Sequence, residues 1–326
     1  MAKKFNNMKL LYVFAALLIV FGIVEWYQKK HTESTLNTNI VQIDTAKVTK
    51  VLLYPTSEKS VEIEFRKDGK SWKVIKGKII AEPAQNMPQA LLMMLMEIKI
   101  QRLASKDKAK WSEFQVTDTT ATKVKVYEGN KLALDLLIGK FTYQRTNNPY
   151  GGMNGGGGIS GTSYIRLAGE EEIYAIEGFL TFSFNQGFNV FRNQSLAKFD
   201  KPNVEKITFK YPGDSSFTLT LSEKKKWIIG NEHTDSAKVS DYLNALANKS
   251  GQSFDDNFIA SGAPAFEVIV EGKNMKEVTI DGYQKSNDVY VINSNLNPKS
   301  YFSSATKGIF SDIFKGKGSF FVKKKN

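Results

Sequence analysis

Residues 47–74 read KVTKVLLYPTSEKSVEIEFRKDGKSWKV, and about 156 positions later residues 202–229 read PNVEKITFKYPGDSSFTLTLSEKKKWII. Each stretch holds an apolar run, a Tyr-Pro pair (Tyr54-Pro55, Tyr211-Pro212) and a second, alternating run. A charged turn follows, and then a Trp (Trp72, Trp227) that opens a third run. In the first copy Val61, Ile63 and Phe65 alternate with Glu62 and Glu64, so a strand over Val61–Phe65 has one buried and one wet face. Lys67-Asp68-Gly69-Lys70 reads as a hairpin turn on an Asp-Gly core. Because both Trp residues hold the same place, a core role is expected for each. The chain therefore contains a duplicated module, with the first copy expected over 46–200 and the second over 201–326.

Outward from these stretches the pattern repeats. In the first copy Val48–Leu53 and Lys123–Tyr127 read as strands, with Leu132–Ile138 returning after Glu128-Gly129-Asn130. Tyr164–Leu167 and Ile173–Ile176 form a further pair. In the second copy Ile207–Phe209, Phe217–Leu221 and Trp227–Ile229 match the first three strands. Phe266–Val270 and Val278–Ile280 match the next pair, and Asp288–Ile292 matches Tyr164–Leu167. One helix is predicted in each copy. The first runs from Pro88 to Leu103, with Pro at its first position and a stripe of Leu91, Leu92, Leu95 and Ile98. The second runs from Ala237 to Asn248, capped by Asp235 or Ser236, with Val239, Tyr242, Leu243 and Leu246 at i, i+3, i+4 and i+7. Short hairpins join the strands, so the class is α+β, each module being a mostly antiparallel sheet with one packed helix.

Composition bounds the function. The 326 residues are 41% hydrophobic and 24% charged, which fits folded modules rather than disorder. There is no cysteine, which removes disulfides, thiolate metal sites and cysteine nucleophiles. With only His31 and His233, a multi-His metal site within the chain is nearly excluded, as are most histidine-based schemes. No cofactor is expected. The net charge of +12 comes from scattered lysines and a basic tail of Lys315, Lys317, Lys323, Lys324 and Lys325, read as solvated surface.

Leu10–Tyr27 reads LLYVFAALLIVFGIVEWY. As a helix at ~1.5 Å per residue it would be about 27 Å long, close to a bilayer core. Trp26 and Tyr27 suit an interfacial belt. The bulky, charged residues that follow do not resemble a cleavage site, which favours a retained anchor over a signal peptide. Lys3, Lys4 and Lys9 precede it, placing residues 1–9 in the cytoplasm and the bulk in the periplasm of a Gram-negative cell. Residues 28–45 form a polar tether.

Read in order, these features resemble the bacterial family catalogued as domain of unknown function 4340. The residues that bear the resemblance are the anchor, Val48-Thr49-Lys50-Val51, the Lys67–Lys70 turn before Trp72 and the apolar helix. After them come Leu136-Leu137-Ile138-Gly139-Lys140, Tyr164-Ile165-Arg166-Leu167 with Glu172-Ile173-Tyr174, and Phe191-Arg192-Asn193. The resemblance covers nearly everything after the tether. It implies a membrane-anchored extracytoplasmic protein, encoded near auxiliary components of gliding-motility-type ABC transporters, and it supplies no catalytic residue. Ile280-Asp281-Gly282 stands in the second copy where the Gly-Lys signature is degraded.

Few motifs point to chemistry. The stretch from Asn147 to Gly161, NNPYGGMNGGGGISG, lacks the Lys and following helix of a phosphate loop and reads as a hairpin loop. A contact role would fall to Arg145, Tyr150, Gly151 and Gly155. Met93, Met94 and Met96 make the first helix apolar nearly all round. The reading adopted is a helix packed between a sheet and the other module, its rival an adaptable partner surface through Met93 and Met94. The carboxylates Glu170–Glu172 and Asp255-Asp256 read as solvated turns, and an enzyme is not expected. Two functions remain: a non-catalytic accessory or scaffold subunit of an ABC-transporter or gliding-motility-type membrane complex, or an envelope-binding module for an anionic glycan or lipid. Nucleic acid is not an expected partner.

Overall fold

Val51 and Leu53 sit opposite Phe65 and Ile63 on one neighbour and Val126 and Val124 on the other, and all six side chains are buried. These residues form the centre of the first sheet in a computed structural model that describes residues 40–146 and 158–322. Its strands are β1 (Val48–Tyr54), β2 (Ile63–Asp68), β3 (Ser71–Lys76), β4 (Ile79–Ala81), β5 (Ile100–Ser105), β6 (Thr122–Glu128), β7 (Lys131–Thr146), β8 (Gly158–Leu167) and β9 (Ile173–Glu177). They follow the order β4-β3-β2-β1-β6-β7-β8-β9-β5.

The second sheet repeats that order. Its strands are β10 (Val204–Lys210), β11 (Phe217–Leu221), β12 (Trp227–Ile229), β13 (Glu232–His233), β14 (Phe266–Gly272), β15 (Val278–Ser286), β16 (Val289–Ser294) and β17 (Phe302–Ala305). They run β13-β12-β11-β10-β14-β15-β16-β17. The copies agree down to a ladder irregularity. The register shifts between Val48 and Lys50 where β1 meets β6, and between Val204 and Lys206 where β10 meets β14. The strand pairs within each sheet run antiparallel, as β1 does with β2 and β6 and β10 does with β11 and β14. They differ at the far edge, where β5 is a ninth strand beside β9. The matching place beside β17 keeps a single bridge, Phe254 to Phe302, flanked by bonds from Asp255 N–H to Tyr301 O and from Ser303 N–H to Ser253 O.

The helices are α1 (Met87–Met96), α2 (Leu180–Phe184), α3 (Phe188–Phe191), α4 (Ser236–Leu246) and α5 (Ser311–Ile313). α4 matches its reading closely. Asp235 accepts from the Ala237 N–H at 3.0 Å, which satisfies one of the free N–H groups of the first turn. Its predicted stripe is buried. Around it gathers an aromatic core in which Phe209 stacks on Phe217 at 4.3 Å and touches Tyr242 and Phe320.

Several expectations need correction. The first helix stops at Met96 and does not reach Leu103, because from Ile98 the β-branched residues Ile98 and Ile100 fall at period two and Ile100–Ser105 joins the sheet. Strand β2 begins at Ile63, leaving Val61 47% exposed, so the buried face is Ile63 and Phe65 alone. The β2–β3 turn is Gly69-Lys70, with Asp68 paired to Ser71 and Gly69 at φ +60°, the first position that a two-residue hairpin reserves for Gly. Trp72 and Trp227 are half-buried, each lying next to a hairpin end rather than at a sheet centre, and Trp227 packs against the margin of the second core as expected of it. From Gly158 the Gly stretch is strand β8, not loop.

The chain falls into two compact units. One comprises Met94–Ala121, Leu136–Thr181 and the described residues before Asp44; the other comprises Asp44–Met93, Thr122–Asp135 and the described residues from Phe182 onward. The first unit holds β5, β8, β9 and most of β7. Its small core of Val116, Tyr164, Ile173 and Ala175 is backed by Trp111 and Phe114. There Gly139 is required by space, since a Cβ would lie 2.3 Å from the Phe114 carbonyl. The buried Arg166 donates from Nε to Val116 O at 3.0 Å and from Nη1 to Glu170 O at 3.1 Å, under the Trp111 ring. The second unit holds β1–β4, β6, α3 and the entire second sheet. Among the described residues no helix is long and apolar enough to cross a membrane. The proposed anchor, Leu10–Tyr27, lies outside them.

Candidate functional site

From the last residue of α3 the chain runs Phe191-Arg192-Asn193, and each residue of the triplet is tied down within the second unit. The Phe191 ring meets Phe65 edge-on at 5.5 Å, and its carbonyl accepts from Ala84 N–H at 2.8 Å. Asn193 N–H donates to Glu82 O at 2.8 Å, and Asn193 O accepts from the Asn297 side chain at 2.6 Å. The triplet thus fastens the residues after β4 to the turn after β16.

Arg192 between them is among the largest fully buried side chains. Its guanidinium grips Asp256 with two parallel bonds, 2.9 Å from Nη1 and 2.6 Å from Nη2. It lies 3.6 Å from the Phe254 ring centre and 5.1 Å from that of Phe188. This planar fork against a carboxylate is the strong form of an ion pair. Only the guanidinium is taken out of water, since Asp256 stays exposed at its outer side, and the cost of that burial offsets much of the gain, so the pair fixes geometry more than it stabilises. The remaining donor, Nε, is buried and has no acceptor among the described residues.

Beside Arg192 opens a cavity of about 590 Å³. Its walls are Lys78 and Ile80 from the β3–β4 hairpin, the segment 254–258, and Lys299 with Tyr301. The two acids in it are engaged, Asp256 by Arg192 and Asp255 by Lys285. Lys78 and Lys299 are exposed and have no ion-pair partner among the described residues. The cavity is therefore lined by a surplus of positive charge.

A supporting contact stands nearby. Glu58 accepts from the Phe188 N–H at 2.9 Å and pairs with Lys76. Burial alone would raise its carboxyl, but Lys76 and the Phe188 N–H outweigh that and hold it below the ordinary carboxylate range. Among the described residues no group of His, Asp and Glu is arranged to hold a metal ion.

The residues singled out from sequence lie elsewhere. Met93, Met94 and Met96 are 58%, 39% and 50% exposed, while Leu91, Leu92 and Leu95 on the same helix are buried. The expectation that the whole helix is packed is thus corrected: α1 buries its leucines and shows its methionines. Arg145 is in β7 opposite Ile159, its side chain outside the description. Tyr150, Gly151 and Gly155 lie outside the described residues. What sequence reading missed is the Arg192–Asp256 pair. Its signals were the Phe191-Arg192-Asn193 triplet and the adjacent acids Asp255-Asp256, which read as solvated.

The model of the family described as domain of unknown function (DUF4340) matches residues 82–257, more than half of the chain. The chain belongs to the DUF4340 family. The matched stretch of this DUF4340 protein starts at Glu82, whose carbonyl holds Asn193, and ends one residue past Asp256, so both partners of the buried pair lie inside it. Val48–Val51 and Lys67–Lys70, which bear part of the resemblance, lie outside the match, so the matched span is shorter than the expected one. No curated protein and no solved structure gives a significant match to the chain.

Proposed function

We propose that this DUF4340 protein is a non-catalytic accessory or scaffold subunit of a membrane complex of the transporter or gliding-motility type. In this reading Leu10–Tyr27 holds it in the inner membrane and the two sheets stand in the periplasm. The observation that supports the reading best is the split character of α1. Its leucines are buried and fix the helix, while Met93, Met94 and Met96 face solvent. Flexible, polarizable thioethers on a rigid helix suit a surface that moulds itself to a protein partner. Exposed apolar side chains grouped on one element point the same way.

The test is mild-detergent purification of the tagged full-length chain from its native membrane, with mass spectrometry of what accompanies it. Transport or motility subunits in fixed ratio support the reading. A chain that emerges alone at native abundance overturns it.

A further inference from the structure

The cavity beside Arg192 combines three features. First, Lys78 and Lys299 stand at its rim without carboxylate partners. Second, the Arg192 Nε–H, held in place by the Asp256 pair and the Phe254 ring, is a buried donor with no acceptor among the described residues. A buried donor left unpaired is costly, so such a group has a free-energy reason to meet an acceptor. Third, acceptors and flat apolar faces line the same space. Asp255 and Asp256 keep lone pairs beyond those used by their cations, and Phe258 packs on Tyr301 with ring centres 5.1 Å apart.

We propose that this cavity binds an acidic saccharide, a hydroxyl-rich ring that bears a carboxylate. The ring carboxylate meets Lys78 and Lys299, where charge attraction is least offset by neighbouring acids. Ring hydroxyls donate to Asp255 and Asp256, and a hydroxyl oxygen accepts from Arg192 Nε. One face of the ring lies on the Tyr301 and Phe258 pair or on Ile80. A bare inorganic anion fits less well, because two carboxylates in the wall repel it and it brings too few donors to satisfy them. A neutral sugar leaves both lysines unanswered. The volume, about 590 Å³, falls in the ~300–1,000 Å³ range of small-molecule sites. The inference does not depend on the accessory-subunit reading, since a chain with no protein partner keeps the cavity.

The experiment is calorimetric titration of the full-length chain in detergent, at low salt, with a glucuronate-containing trisaccharide. The neutral trisaccharide and inorganic phosphate are run beside it. The same titrations use Lys78→Glu and Lys299→Glu, exposed changes whose folding is checked by melting, and Lys224→Glu, a lysine remote in sequence and outside the cavity lining. The expected result is binding of the acidic sugar that weakens at least tenfold in Lys78→Glu and in Lys299→Glu, is unchanged in Lys224→Glu, and falls as salt screens the charges. Equal binding of the neutral sugar or of phosphate overturns the proposal. So does undiminished binding in both cavity variants, or no binding of the acidic sugar at millimolar concentration.

Discussion

Strand β5 and the segment 253–258 hold corresponding places, each at the far edge of its sheet and each after that copy's helix. The first is a six-residue strand paired with β9 from Ile100 to Ser105. The second keeps the Phe254–Phe302 bridge and two flanking backbone bonds, and then leaves the ladder. What is lost as a strand reappears as a wall: Asp255, Asp256 and Phe258 line the Arg192 cavity. In a duplicated fold the strands that agree state what the architecture requires. The strand that fails to agree has been released from that duty, and here it presents charged side chains. The two buried arginines show the same contrast. Arg166, near β5's partner strand, is anchored by backbone carbonyls. Arg192 is held by a side chain from the divergent segment and keeps a donor in reserve.

The largest expected effect tests whether the ion pair is what holds the released segment. Asp256→Leu should cost about 3–5 kcal/mol, because the buried Arg192 guanidinium is left without its partner, and Arg192→Met should cost less, because the exposed Asp256 carboxylate can be hydrated. The double change Arg192→Met with Asp256→Leu should cost less than the sum of the two single changes. Denaturant unfolding of all four proteins measures the coupling, and strict additivity would show that the pair holds nothing.

A second difference between the copies lies at their central strands. Leu52 in β1 is buried on the face opposite Val51 and Leu53, whereas its counterpart Thr208 in β10 is half-exposed. Sheet one is therefore covered on both faces at this point. Leu52→Thr should cost about 2–4 kcal/mol by lost burial and a cavity, while Thr208→Leu should stay within about 0.5 kcal/mol. Urea midpoints that moved equally would remove the distinction.

Glu58 separates the copies more gently, for the second copy has Ser215 at that place after its Tyr-Pro pair. Glu58→Gln should cost about 1 kcal/mol near neutral pH, a modest figure for a partly exposed pair. Because the folded carboxyl sits below its ordinary range, its contribution is present above that range and is lost as pH falls through the folded value. The two proteins should converge in acid, as melting across pH would show.

The smallest effect has the opposite sign. In the first sheet Lys125 meets Asp135 at 3.3 Å across β6 and β7. In the second sheet Glu267 stands opposite Asp281 across β14 and β15. Burial and then Glu267 raise the Asp281 carboxyl above its ordinary value, against a weaker pull from Lys210. A raised carboxylate lowers stability as pH rises through its titration. Asp281→Asn should therefore stabilise by a few tenths of a kcal/mol at neutral pH and by nothing in acid. A loss of stability at pH 7 would contradict this assignment.

Much of this architecture is legible in the residues. The repeat follows from two Tyr-Pro pairs and two Trp residues in step, and α4 follows from a clean stripe and an Asp cap. Strand β5 was hidden because Leu92, Leu95, Ile98 and Leu103 continue a helical stripe, while the period-two signal of Ile98 and Ile100 is short. The exposed methionines were hidden because an apolar residue reads alike whether it packs or waits for a partner. The cavity was hidden for a different reason. Arg192 and Asp256 are 64 positions apart, and nothing local marks either as a pair. Only the return of segment 253–258 to β17 brings the acid to the guanidinium.

The most direct measurement is amide hydrogen exchange on the full-length chain, with and without the glucuronate trisaccharide. β5 should be protected like its neighbour β9, while the amides of 256–260 exchange quickly in the free protein. Adding the sugar should slow exchange at 254–258 and at Ile79–Ala81 and leave β5 unchanged. Slow exchange of 256–260 in the free protein, or a sugar effect at β5 in place of the cavity, would contradict the view that binding resides where the two copies part.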